Sequence, residues 1–178
     1  MAEIRRLHWG CGDVTPTGWI NSDIREGPGI DICCSIFDGL PLEDDSIDYI
    51  STQHTLPEIK IYDQVRALGE LRRVLKPGGV LRLSLPDLDL AIAAYQRGDR
   101  DYFQIWDWDT VSGNFLTQIL WYNTVHTPFT YEFAEELLQK AGFGEVRRVG
   151  YRRTGSPYPE IVALDNRERE SFYVEAVK

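Results

Sequence analysis

The chain has 178 residues, the length of about one domain, and a domain of that size removes roughly 70% of its unfolded surface from water. Lys and Arg number 19 against 28 Asp and Glu, and the formal charge of −9 opposes a phosphate backbone, so nucleic acid is not the expected partner. With 43% hydrophobic and 12% aromatic residues the composition excludes a disordered tail.

In chain order, short apolar runs bounded by Gly, Pro or Asp predict strands over residues 4–9, 19–24 and 30–36. A loop of turn formers and acids, residues 40–46, leads to a fourth strand at 47–50. Val65, Leu68, Leu71, Val74 and Leu75 fall at three- and four-residue steps, which predicts a helix over 62–76 with Arg66, Arg72 and Arg73 outside the stripe. Lys76-Pro77-Gly78-Gly79 stops it, because Pro cannot continue a helix and Gly accepts positive φ. A fifth strand follows over 80–85, then a short amphipathic helix from Leu88 that ends near Gly98, with Asp87 either its N-cap or a contact to substrate beyond the strand end.

Residues 99–129 collect Trp106, Trp108, Trp121, Tyr102, Tyr122, Phe103 and Phe115 with little clean periodicity. They predict either a cap over the domain or a layer that pairs with another subunit, a possible homodimer. Thr130 caps a helix over 131–141 that Gly142 terminates, and strands at 146–151 and 171–177 close the chain around a long polar loop. Strands interleaved with helices and an antiparallel pair at the end predict an open α/β sheet in one domain, 1–178, with 99–129 as an aromatic cap insertion. Ligands in such sheets bind at the carboxyl ends of the strands, where strand order reverses.

Three cysteines, two of them adjacent at Cys33 and Cys34, form no disulfide framework, and a reducing cytoplasm is the expected location. No apolar run has signal-peptide length or approaches the roughly 18 residues of a membrane span, so no membrane partner is expected. There is neither a Cys-x-x-Cys pair nor a His-x-x-x-His spacing, and Glu43-Asp44-Asp45 reads as a solvated turn, so no metal is expected.

Gly10 and Gly12 directly follow the first strand, where the absence of a Cβ lets backbone approach a ligand or simply permits a tight turn. Asp23 ends the second strand, where a carboxylate can accept both hydroxyls of a ribose or be merely solvated. A nicotinamide dehydrogenase requires G-x-G-x-x-G opening a helix, and Gly10-Cys11-Gly12-Asp13-Val14-Thr15 departs from that pattern.

HWGCGDVTPTGWINSDI, CCSIFDGLPLEDDSIDYI, ELRRVLKPGGVLRLSLPD and the helix ending in LLQKAGF, in that order, resemble the small class I S-adenosylmethionine-dependent methyltransferases over nearly the whole chain. The resemblance implies a Rossmann-like, mostly parallel sheet with an antiparallel C-terminal strand, and S-adenosylmethionine as cofactor. It implies that backbone at Gly10, Cys11 and Gly12 faces the methionine part, that Asp23 holds the ribose, and that Ile24 lies against the adenine. Ser35 and Ile36 would flank the adenine with Asp38 close by, and Gln53 and His54 would border the methyl group.

Departures from the family pattern carry their own expectations. His8 and Val14 stand where the common loop has an acid and a third glycine, so the methionine ammonium lacks its usual carboxylate unless Asp13 or another acid substitutes. Asp23 lies only 11 positions after Gly12, too few for a helix and a strand, and residues 25–29 are also too few. Both first crossovers are therefore expected to be shortened, with one sheet face thinly covered. Leu56-Pro57-Glu58-Ile59 replaces the Leu-Glu-His sequence of many relatives, and no metal or base role carries over to it.

Methyl transfer from a sulfonium is an in-line displacement with a neutral leaving group, so the enzyme mainly aligns its reactants. A hydroxyl acceptor also needs a base, and of the three histidines His54 and His126 are expected to reach the cleft. The negative charge argues against a nucleic-acid acceptor, and with no added recognition domain expected, a small molecule, a glycan or a lipid-linked intermediate is favoured. A non-catalytic cofactor-binding or protein-interaction module on the same fold is the alternative.

Overall fold

The structure, a computed structural model, describes residues 3–178. Seven strands, β1 (Arg6–Trp9), β2 (Ile20–Asp23), β3 (Ile32–Cys33), β4 (Ile47–Gln53), β5 (Leu75–Pro86), β6 (Glu145–Val149) and β7 (Ser171–Val177), form one sheet in the order β3-β2-β1-β4-β5-β7-β6. β3, β2, β1, β4 and β5 pair in parallel, and β7 runs antiparallel to both of its neighbours. This is the expected open α/β sheet, with strand order reversing between β1 and β4.

Both early crossovers lack a helix. Residues 10–19 and 24–31 are turns, held in that state by Pro16, Gly18, Pro28 and the left-handed Gly29 (φ +77°). The helices come later: α1 (Gln64–Val74), α2 (Leu88–Arg97), α3 (Val111–Leu120) and α4 (Tyr131–Lys140). Side chains fix their starts as the sequence predicts, with Leu90 N–H donating to Asp87 and Phe133 N–H to Thr130.

The two sheet faces differ sharply. Leu7 and Trp9 of β1, Ile50 of β4, Leu81, Leu83 and Leu85 of β5, and Phe172 and Val174 of β7 pack with Leu68 and Leu71 of α1 and Leu137 and Leu138 of α4 in the main core. Period-two alternation turns Arg6, His8, Tyr49, Ser51, Arg82, Ser84 and Glu175 to the other face. The polar segment 150–170 covers that face, its Ile161 packing with Trp19, Tyr49 and Val80. Arg82 pins it: fully buried, it donates to both Asp165 oxygens (2.9 and 2.6 Å), to Glu175 (2.8 Å) and to the carbonyls of Arg153 and Gly150.

Three details differ from the sequence reading. β3 has two residues, because the chain turns at Ser35 into a short 3₁₀ turn, Ile36–Asp38. Lys76–Gly79 bulges inside β5: Leu75 pairs with Ile47 and Val80 with Tyr49, while the Lys178 N–H donates to the Gly79 carbonyl. Within 99–129 a full helix, α3, packs on α2 by stacking Phe115 on Tyr95 (ring centroids 4.8 Å apart), leaving Trp106, Trp108 and Leu116 more than half exposed.

Candidate active site

The carboxyl ends of β1, β2, β4 and β5 open on one cleft of about 830 Å³. Its floor at β1 is the 10–12 loop. Gly10 (φ +66°) needs to be glycine for an internal reason, since a Cβ there would meet the Thr55 side chain at 2.2 Å. Thr55, just past β4, donates its hydroxyl to the Gly10 carbonyl at 3.1 Å. Gly12 (φ +54°) is the converse case: the nearest atom to its missing Cβ is Arg25 Nη2 at 3.7 Å, so a Cβ would meet only open space there, and Gly12 lines both the cleft and a smaller hollow beside it.

Asp23 closes the loop from β2. Its carboxylate accepts the Gly12 N–H at 2.8 Å and the Arg25 N–H at 3.0 Å. Burial pushes this carboxyl upward, but the two backbone hydrogen bonds and the Arg25 guanidinium outweigh it and hold the pKa below the ordinary value. Ile24, the next residue, stands 70% exposed on the cleft wall, an apolar side chain with no core to enter.

Of the other residues singled out in the sequence, Ser35, Ile36, Gln53, His54 and His126 also line the cleft. Cys11 is buried beneath the loop, its N–H donating to the Ser22 carbonyl at 3.0 Å, and Asp38 is exposed outside the cleft lining. Gln53 donates to Ser51 Oγ at 3.1 Å, and its buried carbonyl oxygen has no protein partner. His54, in the left-handed region (φ +56°), bonds Ser171 Oγ through Nε2 at 2.7 Å. Burial, with Arg167 nearby, pushes its pKa down to about 3, so the ring is neutral at physiological pH. His126 is exposed, and its N–H joins that of Thr127 on the Pro57 carbonyl (2.9 and 3.0 Å), fastening this wall to the turn after β4.

The far end of the cleft lies at Asp87, Tyr102, Trp121, Arg167 and Glu170. Burial first, then Asp87 and Glu170, push the Tyr102 hydroxyl up to about 12, so it stays a hydrogen-bond donor. Trp121 begins three successive left-handed residues, with φ of +41°, +55° and +71° through Asn123. Sequence reasoning missed Thr55, Glu58, Arg167 and Glu170 as lining residues. The first two follow β4 within five residues and could have been found by position. Arg167 and Glu170 could be found only from the reversed direction of β7, which brings its amino end beside Pro86.

Among the described residues no group of three or more His, Cys, Asp or Glu could hold a metal ion, and no helix is long and apolar enough to cross a membrane.

Residues 20–83 match the methyltransferase domain family. A "probable methyltransferase" of Aspergillus luteorubrus is 43% identical over 60 residues, covering 32% of this chain and 21% of that protein. An uncharacterised 37.1 kDa protein of a Streptomyces fradiae transposon is 42% identical over 62 residues, covering 35% and 17%. The matched segment thus spans about a fifth of these curated relatives. Among solved structures, a SAM-dependent methyltransferase of Thermotoga maritima, described as a possible histamine N-methyltransferase, superposes with a TM-score of 0.61 at 21% identity, over 100% of this chain and 84% of that one. Likeness at this identity establishes the fold.

Proposed function

We propose that this chain, which has the fold of the class I S-adenosylmethionine-dependent methyltransferases, binds S-adenosylmethionine in the cleft and directs its methyl group to a small-molecule or glycan acceptor. One observation carries the reading: Gly12, with open space where a Cβ would stand, and Asp23, bonded to it at 2.8 Å, bring the ends of β1 and β2 to one cleft. The residues present fit the cofactor, since Ile24 offers an exposed apolar wall for a base and Gln53 a carbonyl oxygen without a partner.

When bound there, S-adenosylmethionine supplies a methyl carbon on a positively charged sulfur. Gly10 and Gly12 meet it with backbone, Cys11 supports the loop from beneath with its N–H donating to Ser22 and its carbonyl accepting from Val14, Asp23 accepts from the ribose, and Ile24, Ser35 and Ile36 enclose the adenine. Asp38, exposed outside the cleft lining, has no part in this. The chain's chemical work is alignment and exclusion of water. Neutral His54, fixed on Ser171, orients polar groups beside Gln53, and His126 takes the proton of a hydroxyl acceptor. Residues 99–129, carrying Trp121 to the far end of the cleft, cap the acceptor. Three free cysteines support a cytoplasmic setting.

Calorimetry with S-adenosylmethionine, followed by radiolabelled methyl transfer into a cell extract, tests this reading. Binding and transfer of label to a small-molecule or glycan fraction support it, and absence of binding refutes it. Binding without transfer would establish the second reading, a non-catalytic cofactor-binding module. The exposed Trp106, Trp108 and Leu116 favour that alternative as an apolar surface on which a partner or second copy could pair.

A further inference from the structure

Five carboxylates line the cleft, and all but two are committed elsewhere. Asp23 is bonded to Gly12 and Arg25; Asp87 caps α2 and pairs with Arg148 at 2.9 Å; Glu170 pairs with Arg167 at 3.3 Å. Glu58 and Asp63 have no side-chain partner among the described residues. Asp63, the N-cap residue of α1, lies five positions further on, past the turn that is tied to the glycine loop.

Glu58 ends a 3₁₀ turn, Leu56–Glu58, that is tied in two directions. Its first tie is Thr55 Oγ1 on the Gly10 carbonyl, and its second is the Pro57 carbonyl receiving the His126 and Thr127 N–H groups. The turn that carries the free carboxylate is therefore held between the glycine loop and the opposite wall, with Glu58 itself exposed on the cleft. Partial enclosure, then the charge of Asp23, push its carboxyl above the usual range, against the opposing pull of Arg25 and His126. An anion raised by enclosure and a neighbouring anion gains when a cation arrives.

The ligand of the proposed function carries such a cation on its amino-acid end. The loop itself offers no anion to meet it. His8 is buried, 2% exposed, on the other sheet face, and burial lowers its pKa to about 4, so it is neutral. Asp13 is exposed and borders a separate hollow with Thr15 and Pro28.

We propose that Glu58 is the carboxylate that receives the ammonium of the cofactor's amino-acid end, supplying the anion that positions 8 and 13 do not. This rests on the S-adenosylmethionine reading. It makes Glu58 a cofactor-binding residue in a turn to which the sequence assigned no role.

Two probes separate this proposal from the reading beneath it. S-adenosylhomocysteine carries the amino-acid end, and 5′-deoxy-5′-methylthioadenosine keeps the nucleoside without it. In calorimetry the wild-type chain should bind both; if it binds neither, the cofactor reading itself falls. Glu58→Gln should weaken S-adenosylhomocysteine about tenfold, the effect of one charge-assisted contact in an open cleft, and leave methylthioadenosine unchanged. Glu58→Asp should fall between, and Asp13→Asn should match wild type. Equal losses for both ligands in Glu58→Gln, no loss for either, or a selective loss in Asp13→Asn would each overturn the assignment. A melting temperature unchanged in Glu58→Gln is expected because its side chain holds no partner.

Discussion

Replacing Arg82 by Met should cost about 3–5 kcal/mol, the penalty of leaving buried charges without their partner. Arg82, Asp165 and Glu175 are fully shielded, with side-chain exposures of 0%. All five guanidinium hydrogens are used, two on Asp165, one on Glu175 and two on backbone carbonyls. Met fills much of the volume but abandons two carboxylates and two carbonyls. At roughly 2–4 °C per kcal/mol for a chain this long, the melting temperature should fall by about 6–20 °C. Limited proteolysis should then cut first within 150–170. A triple variant, Arg82→Met with Asp165→Leu and Glu175→Met, should recover part of the loss. It cannot recover all, because Asp165 also accepts the Arg152 N–H and Glu175 the Gly155 N–H. A loss under about 1 kcal/mol in Arg82→Met would refute the view that this cluster holds the covering segment down.

Asp23→Asn should lower stability at neutral pH by about 1–3 kcal/mol, since Asn keeps one acceptor oxygen for two backbone donors. The folded-state pKa lies below the unfolded one, so the contribution is present above about pH 4 and is lost as pH falls through the folded value; melting curves of the two proteins should converge in acid. Gly10→Ala should destabilise strongly by collision with Thr55, whereas Gly12→Ala should fold at a cost of about 1–2 kcal/mol for its positive φ and lose cofactor binding, as melts and calorimetry would report. His126→Ala should keep cofactor affinity within about twofold while turnover on the acceptor, once found, drops by about a hundredfold or more. Its backbone, not its ring, fastens the wall.

The sheet was legible because its strands are short apolar runs between turn formers, and the short crossovers because Gly12 and Asp23 lie too close for a helix. The core helices were legible from their stripes and from Asp87 and Thr130 at their starts. α3 was not: Val111, Phe115 and Ile119 keep its period, but Trp108 and the exposed Leu116 and Leu120 blur it with apolar residues on the outer face. At the site, Gly12, Asp23 and His54 were legible from their places at strand ends, whereas Ile24 and Gln53 came only from the family resemblance. The internal duty of Gly10, packed on Thr55, depends on a contact 45 positions away that no local pattern records.

Losing two crossover helices explains the polarity of the central strands. A parallel sheet with helices on both faces reads as continuous apolar runs, because both sides of each strand are buried in hydrocarbon. Here β5 reads Val80-Leu81-Arg82-Leu83-Ser84-Leu85, an alternation. Its leucines meet α1 and α4, and its Arg82 and Ser84 face the side on which residues 10–19 and 24–31 supply no helix. An irregular segment over that side brings unpaired backbone groups with it, and apolar strands could not satisfy them. Arg82 and Glu175 do, taking up the Gly150 and Arg153 carbonyls and the Gly155 N–H. The same segment then runs into β7 and carries Arg167 and Glu170 to the cleft, with Ser171 against His54. Cover for the bare face and one wall of the binding site are thus a single piece of chain, so loosening Arg82 should disturb the cleft as well as the fold.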